Sequence, residues 1–106
     1  MEMNNSKKAQ ALKSLLRNDV IQMEDCYTVL DQTEILKNNY VDYMITEPVN
    51  VDEELKRLPN TDFDLCAALM TMLMREDYFS NGSFRRRVAK GQVTQVIEKL
   101  ISMLDN

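Results

Sequence analysis

The sequence predicts an all-α fold, a small single-domain bundle of about five helices spanning residues 1 to 106. Apolar residues recur at helical spacing, most plainly Val93, Val96, Ile97, Leu100, Ile101 and Leu104, which lie at i, i+3, i+4, i+7, i+8 and i+11. Two glycines and two prolines are too few to punctuate a sandwich or barrel rich in turns. With 44% hydrophobic and 28% charged residues the composition is that of an ordinary folded domain. A chain of this length can bury about 65% of its unfolded surface with no metal or disulfide staple.

Taken in order, Ser6 is placed to cap a first helix in which Ala9, Leu12, Leu15 and Leu16 form one face, ending near Asn18. Lys7, Lys8, Lys13 and Arg17 occupy its other faces. A second helix is predicted from Glu24 or Asp25 to Asn38, with Cys26, Val29, Leu30, Thr33 and Leu36 in period and two acids complementing the N-terminal dipole. Between Tyr40 and Asn50, Val41, Tyr43 and Ile45 alternate with Asp42, Met44 and Thr46. That stretch reads as an extended connector, with a minor two-stranded pairing to Val20 through Met23 as the alternative.

Pro48 keeps Glu47 out of helical geometry, and Asn50 with Glu53 is a capping pattern for a short helix through Leu58, whose apolar contact comes from Leu55 and Leu58. Pro59 stops that helix, and Thr61 is the expected cap of the next, with Asp62 and Asp64 in its first turn. From Phe63 to Met74 nearly every residue is apolar, so this helix must be surrounded by protein; Met70, Met72 and Met74 then belong to the core rather than to an adaptable surface. Ser80, Asn81 and Gly82 form a turn, Ser83 is the expected cap of a two-turn helix from Phe84 to Lys90, and Gly91 is its left-handed stop.

The chemistry available is limited. With no histidine and only Cys26 and Cys66, zinc, cofactor and acid–base chemistry at neutral pH are all disfavoured, and no enzyme activity is expected. The two cysteines, each in apolar surroundings, read as buried thiols. The polar start and the absence of any apolar run near the roughly 18 residues of a membrane span lead to the expectation of a cytoplasmic protein.

Charge is uneven. Residues 1 to 17 carry four basic side chains against Glu2, residues 18 to 64 three against twelve acidic ones, and residues 65 to 106 six against four. Both glycines and three consecutive arginines fall between Arg75 and Gly91, which makes that stretch the candidate interaction surface: Arg75, Tyr78, Phe84, Arg85, Arg86, Arg87 and Lys90, with Phe79 beside them. Arginine and aromatic residues anchor interfaces, so a protein partner or self-association comes first. Nucleic-acid binding through Arg85, Arg86, Arg87 and Lys90, helped by Lys7, Lys8, Lys13 and Arg17, is the alternative, opposed by a net charge of −4. The plainer roles are that Phe79 and Phe84 staple the turn from inside, and that Glu76 and Asp77 serve as a salt bridge from Arg75 or a cap. Successive arginines lie about 100° apart on a helix, so the three cannot all face one phosphate.

The run from Ala67 to Phe84, then Gly91 and the final amphipathic helix, resembles the core of an uncharacterised bacterial family of domains of unknown function, number 6508. Thr71, Arg75, Glu76 or Asp77, Phe79, Gly82, Phe84, Gly91 and Leu100 are the matching positions, supported by Pro48, Val49, Asn50 and the Glu-Glu-Leu before Lys56. The resemblance covers about residues 40 to 104. It implies an all-helical fold and no reaction.

Overall fold

A computed structural model describes residues 4–105. Its elements are α1 (Asn5–Leu15), α2 (Met23–Gln32), a 3-10 turn at Tyr40–Tyr43, α3 (Val51–Leu55), a second 3-10 turn at Leu58–Asn60, α4 (Phe63–Phe79), α5 (Ser83–Ala89) and α6 (Gln92–Leu104). The fold is all-α, with six helices where the pattern suggested about five, and no strand among the described residues.

α4 is the axis of the molecule. Every residue from Cys66 to Met74 is buried, as expected of a helix apolar around most of its circumference. Cys66, Met70 and Leu73 join the main core with α1, α2 and α6, to which α6 contributes Val93, Val96, Ile97, Leu100, Ile101 and Leu104. Helical phase turns Leu69 and Met72 to another side, where the first 3-10 turn and α3 pack on α4. α1 lies on α6, and Lys13 reaches Asp105 at the C-terminal end of α6.

Several boundaries differ from the sequence reading. α2 ends at Gln32 rather than Asn38, because Glu34 takes a left-handed φ of 61°. The Ile35 amide then donates to the Leu30 carbonyl and the Glu34 amide to that of Asp31, the two bonds of a Schellman stop. Residues 40 to 43 make a 3-10 turn where an extended connector was expected from 40 to 50, residues 44 to 50 are irregular with Met44 extended, and the two-stranded pairing is not formed among the described residues. The alternating apolar residues there are not buried on one side: Val41 and Ile45 stand exposed.

The buried Glu54 carboxylate shapes this connector. It accepts hydrogen bonds from the Ile45 amide (3.0 Å), the Thr46 amide (2.8 Å), the Thr46 hydroxyl and Arg57 (2.7 Å). Asn50 caps α3 by accepting from the Glu53 amide, as its pattern predicted, although α3 stops at Leu55. The other caps shift slightly: Asn4 caps α1 instead of Ser6, and Asp62 caps α4 instead of Thr61.

Candidate functional site

The stretch from Arg75 to Gly91 folds as the end of α4, a turn, and α5. Gly82 and Gly91 take φ of 86° and 78°, the left-handed values a side chain would oppose. Gly82, not Ser83, occupies the cap position of α5, and the buried Ser83 hydroxyl makes no hydrogen bond. Asp77 does the capping from α4: one carboxylate oxygen accepts from the amides of Gly82 and Phe84, both at 3.1 Å. Asp77 is thus a cap.

The arginine run divides. Arg87 is buried, with Nε and Nη2 on the two carboxylate oxygens of Glu76 at 3.0 and 2.9 Å, and Nη1 on Asp52 and Gln92. Glu76 is therefore a salt-bridge residue, but its partner is Arg87 and not Arg75. The pairing raises the guanidinium pKa, and Arg87, through its hydrogen bond and then its charge, holds the Asp52 carboxyl below its usual value. Arg85, Arg86 and Lys90 are exposed, Arg86 leaning on the Ser80 hydroxyl at 3.2 Å. Phe84 is in the core and the Arg87 guanidinium is committed to Glu76 and Asp52, so neither is an exposed anchor.

What remains outside is aromatic. Phe79 is 86% exposed and Tyr78 66%, at the last turn of α4. Phe79 therefore does not staple the turn. On α4, Met72, Glu76 and Phe79 share one stripe, while Met74, Arg75 and Tyr78 share another roughly 120° away. Each stripe borders its own concavity. The first, of about 500 Å³, is lined by Tyr40, Val49, Val51, Met72 and Phe79, with Asp52, Glu76 and Arg87 among its polar residues. The second, of about 310 Å³, lies between α2 and α4, with Met23, Tyr27, Met74 and Tyr78 as apolar lining and Arg75, Glu24 and Thr28 as polar lining.

Arg75 stands over two rings there, 5.9 Å from the Tyr27 centroid and 5.8 Å from that of Tyr78. It donates to the Asn38 side chain at 3.0 Å and forms no salt bridge among the described residues. A guanidinium held against aromatic faces keeps its charge and much of its donor capacity for a partner. Sequence reasoning named Arg75 and Tyr78 but missed Tyr27, Met23 and Tyr40. Tyr27 had one available signal: it falls on the polar side of the α2 period, where a large aromatic has no core role.

Cys26 and Cys66 are both buried, and burial pushes each thiol up to about 12, which leaves them protonated and unreactive at neutral pH. Among the described residues no group of three or more metal-binding side chains converges, and no helix is long and apolar enough to cross a membrane. No family model, no curated protein and no solved structure matches the chain.

Proposed function

We propose that this domain is a protein-interaction or regulatory accessory module, cytoplasmic and without catalytic activity of its own, whose contact surface is the last turn of α4. The observation that carries the reading is Phe79, a large apolar side chain left 86% in water beside Tyr78 and between two concavities. A fold that buries nearly every other large apolar residue of α4 gains nothing for itself by exposing these two rings. Tyr27 and Arg75 extend the surface with the residue types that anchor interfaces. The resemblance to a family without known activity fits this reading and adds no reaction to it.

The exposure of Arg85, Arg86 and Lys90 favours a second reading, nucleic-acid binding, weakened by the commitment of Arg87 to Glu76 and Asp52. One experiment separates the two. The wild-type chain, a Tyr78→Ser/Phe79→Ser variant and an Arg85→Glu/Arg86→Glu variant serve as baits for capture from the native host, with and without nuclease. A nuclease-resistant partner lost with the aromatic variant supports the first reading. A nuclease-sensitive one lost with the arginine variant replaces it with the second.

A further inference from the structure

The turn between α4 and α5 carries a self-reactive pair. Asn81 and Gly82 form the only Asn-Gly sequence in the chain, and Asn81 is exposed. Glycine leaves its amide unshielded by a side chain, so the Gly82 nitrogen is an accessible nucleophile for the Asn81 carboxamide. In that attack the Gly82 nitrogen bonds to Asn81 Cγ, the Cγ–Nδ2 bond breaks, and ammonia leaves with the amide proton. Water then opens the cyclic imide at either carbonyl. Opening at the side-chain carbonyl gives aspartate, and opening at the main-chain carbonyl gives isoaspartate. Water is the only co-reactant.

The fold restrains this reaction twice. The Ser83 amide donates to the Ser80 carbonyl at 3.0 Å, Gly82 has φ 86° and ψ 1°, and Asn81 is not among the residues of positive φ, so residues 80 to 83 form a type II turn. In such a turn ψ of the second residue is about +120°. Closing the five-membered ring requires the Gly82 nitrogen to eclipse Cβ of Asn81, and this ψ swings it well away. The second restraint is Asp77, whose carboxylate accepts from the Gly82 and Phe84 amides, both at 3.1 Å. A carboxylate on the N–H favours the protonated amide, whereas the attacking species is the deprotonated one. We propose that Asn81 is a site of spontaneous deamidation latched by the Asp77 cap, reacting only when the turn between α4 and α5 opens locally. Isoaspartate makes the step one-way. It adds a methylene to the main chain between Asp77 and the two amides it holds, so the cap cannot re-form in its present geometry. The new carboxylate also arrives beside Arg86, whose Nη1 lies 3.5 Å from the Asn81 carbonyl.

Timed incubation of the full chain, folded in buffer or unfolded in urea at the same pH and temperature, tests the inference. Trypsin then releases the fragment Glu76 to Arg85, in which Asn81 is the only asparagine. Its mass reports conversion of amide to acid, and enzymatic methylation of isoaspartate reports the lengthened backbone. The folded wild type is expected to convert about tenfold or more slowly than the unfolded chain, because opening breaks a hydrogen bond to a charged group. Asp77→Ser should recover most of that gap. Leu69→Ala weakens the core but leaves the latch, and should stay near the wild-type rate. Helical dichroism confirms that each variant is folded; if Asp77→Ser is not, Asp77→Asn takes its place, with fragment sequencing to separate its new amide from Asn81. A folded chain that converts as fast as the unfolded one, or that stays unconverted when the unfolded chain is fully converted, overturns the inference. Equal acceleration by Leu69→Ala and Asp77→Ser also overturns it, since the reaction would then run through global unfolding and not through the latch.

Discussion

Arg87 lies between Glu76, Asp52 and Gln92 because α5 begins at a fixed point after the turn and rotates its fifth residue inward, while Arg85 and Arg86 rotate out. That the three could not act alike was legible in their spacing. Which of them turned in was not, since its carboxylates come from 11 and 35 residues away. Arg87→Ala leaves Glu76 mostly buried without its partner and is expected to cost about 3 kcal/mol in urea unfolding, against about 0.5 kcal/mol or less for Arg85→Ala or Arg86→Ala. Glu54 entered the sequence reading only within the Glu-Glu-Leu before Lys56, with no buried role assigned to it. Burial acts to raise its pKa, but the hydrogen bonds from Thr46, Arg57 and Ile45 outweigh burial and hold it below the ordinary 4.5. A depressed carboxylate contributes stability that is fully present above its unfolded value and lost as pH falls toward its folded one. The melting temperature should therefore be insensitive to Glu54 above about pH 5 and drop below it. Glu54→Gln, compared by thermal melting across that range, should lower the plateau and flatten the acid slope.

Elements show the same division between pattern and detail. Apolar spacing and composition located the longer helices, the short α3 and α5 were read from capping and turn residues, and the α6 face was read residue for residue. Caps were missed by one or two positions where competent residues stand side by side, as Asn4 does near Ser6 and Asp62 next to Thr61. The larger error, the end of α2, has a single cause. A Schellman stop normally announces itself with glycine at the left-handed position, and here that position holds Glu34. The side chain opposes φ of 61°, so glycine should relieve strain by more than it gives up in unfolded-state entropy. Glu34→Gly is expected to raise stability by about 0.5 to 1 kcal/mol, read from the denaturant midpoint. An unchanged or lowered midpoint would show that the turn is held by something other than its backbone.

At the scale of the molecule, α4 is enclosed by two unlike coverings. Helices α1, α2 and α6 cover one side through apolar contact, whereas residues 33 to 60 cover another with only a short helix and two 3-10 turns. Leu69, fully buried on α4, should cost about 2 to 5 kcal/mol when truncated to alanine, measured by chemical denaturation. The second covering was the least legible part of the sequence because polar side chains, rather than an apolar period, tie it down. Glu54 holds residues 45 and 46, Asp52 meets Arg87, and the Thr71 hydroxyl accepts from the Lys37 amide at 3.0 Å while donating to the Ala67 carbonyl. The amides of Lys37, Ile45 and Thr46 thus owe their protection from solvent deuterium to side chains, not to a backbone ladder. Their exchange clocks can be set separately from that of the bundle. In Thr71→Val the Lys37 amide should exchange much faster while Leu73, inside α4, keeps its slow rate, and acid that protonates Glu54 should release Ile45 and Thr46 together. By that measure the 33 to 60 segment opens as a unit of its own, below the free energy of global unfolding.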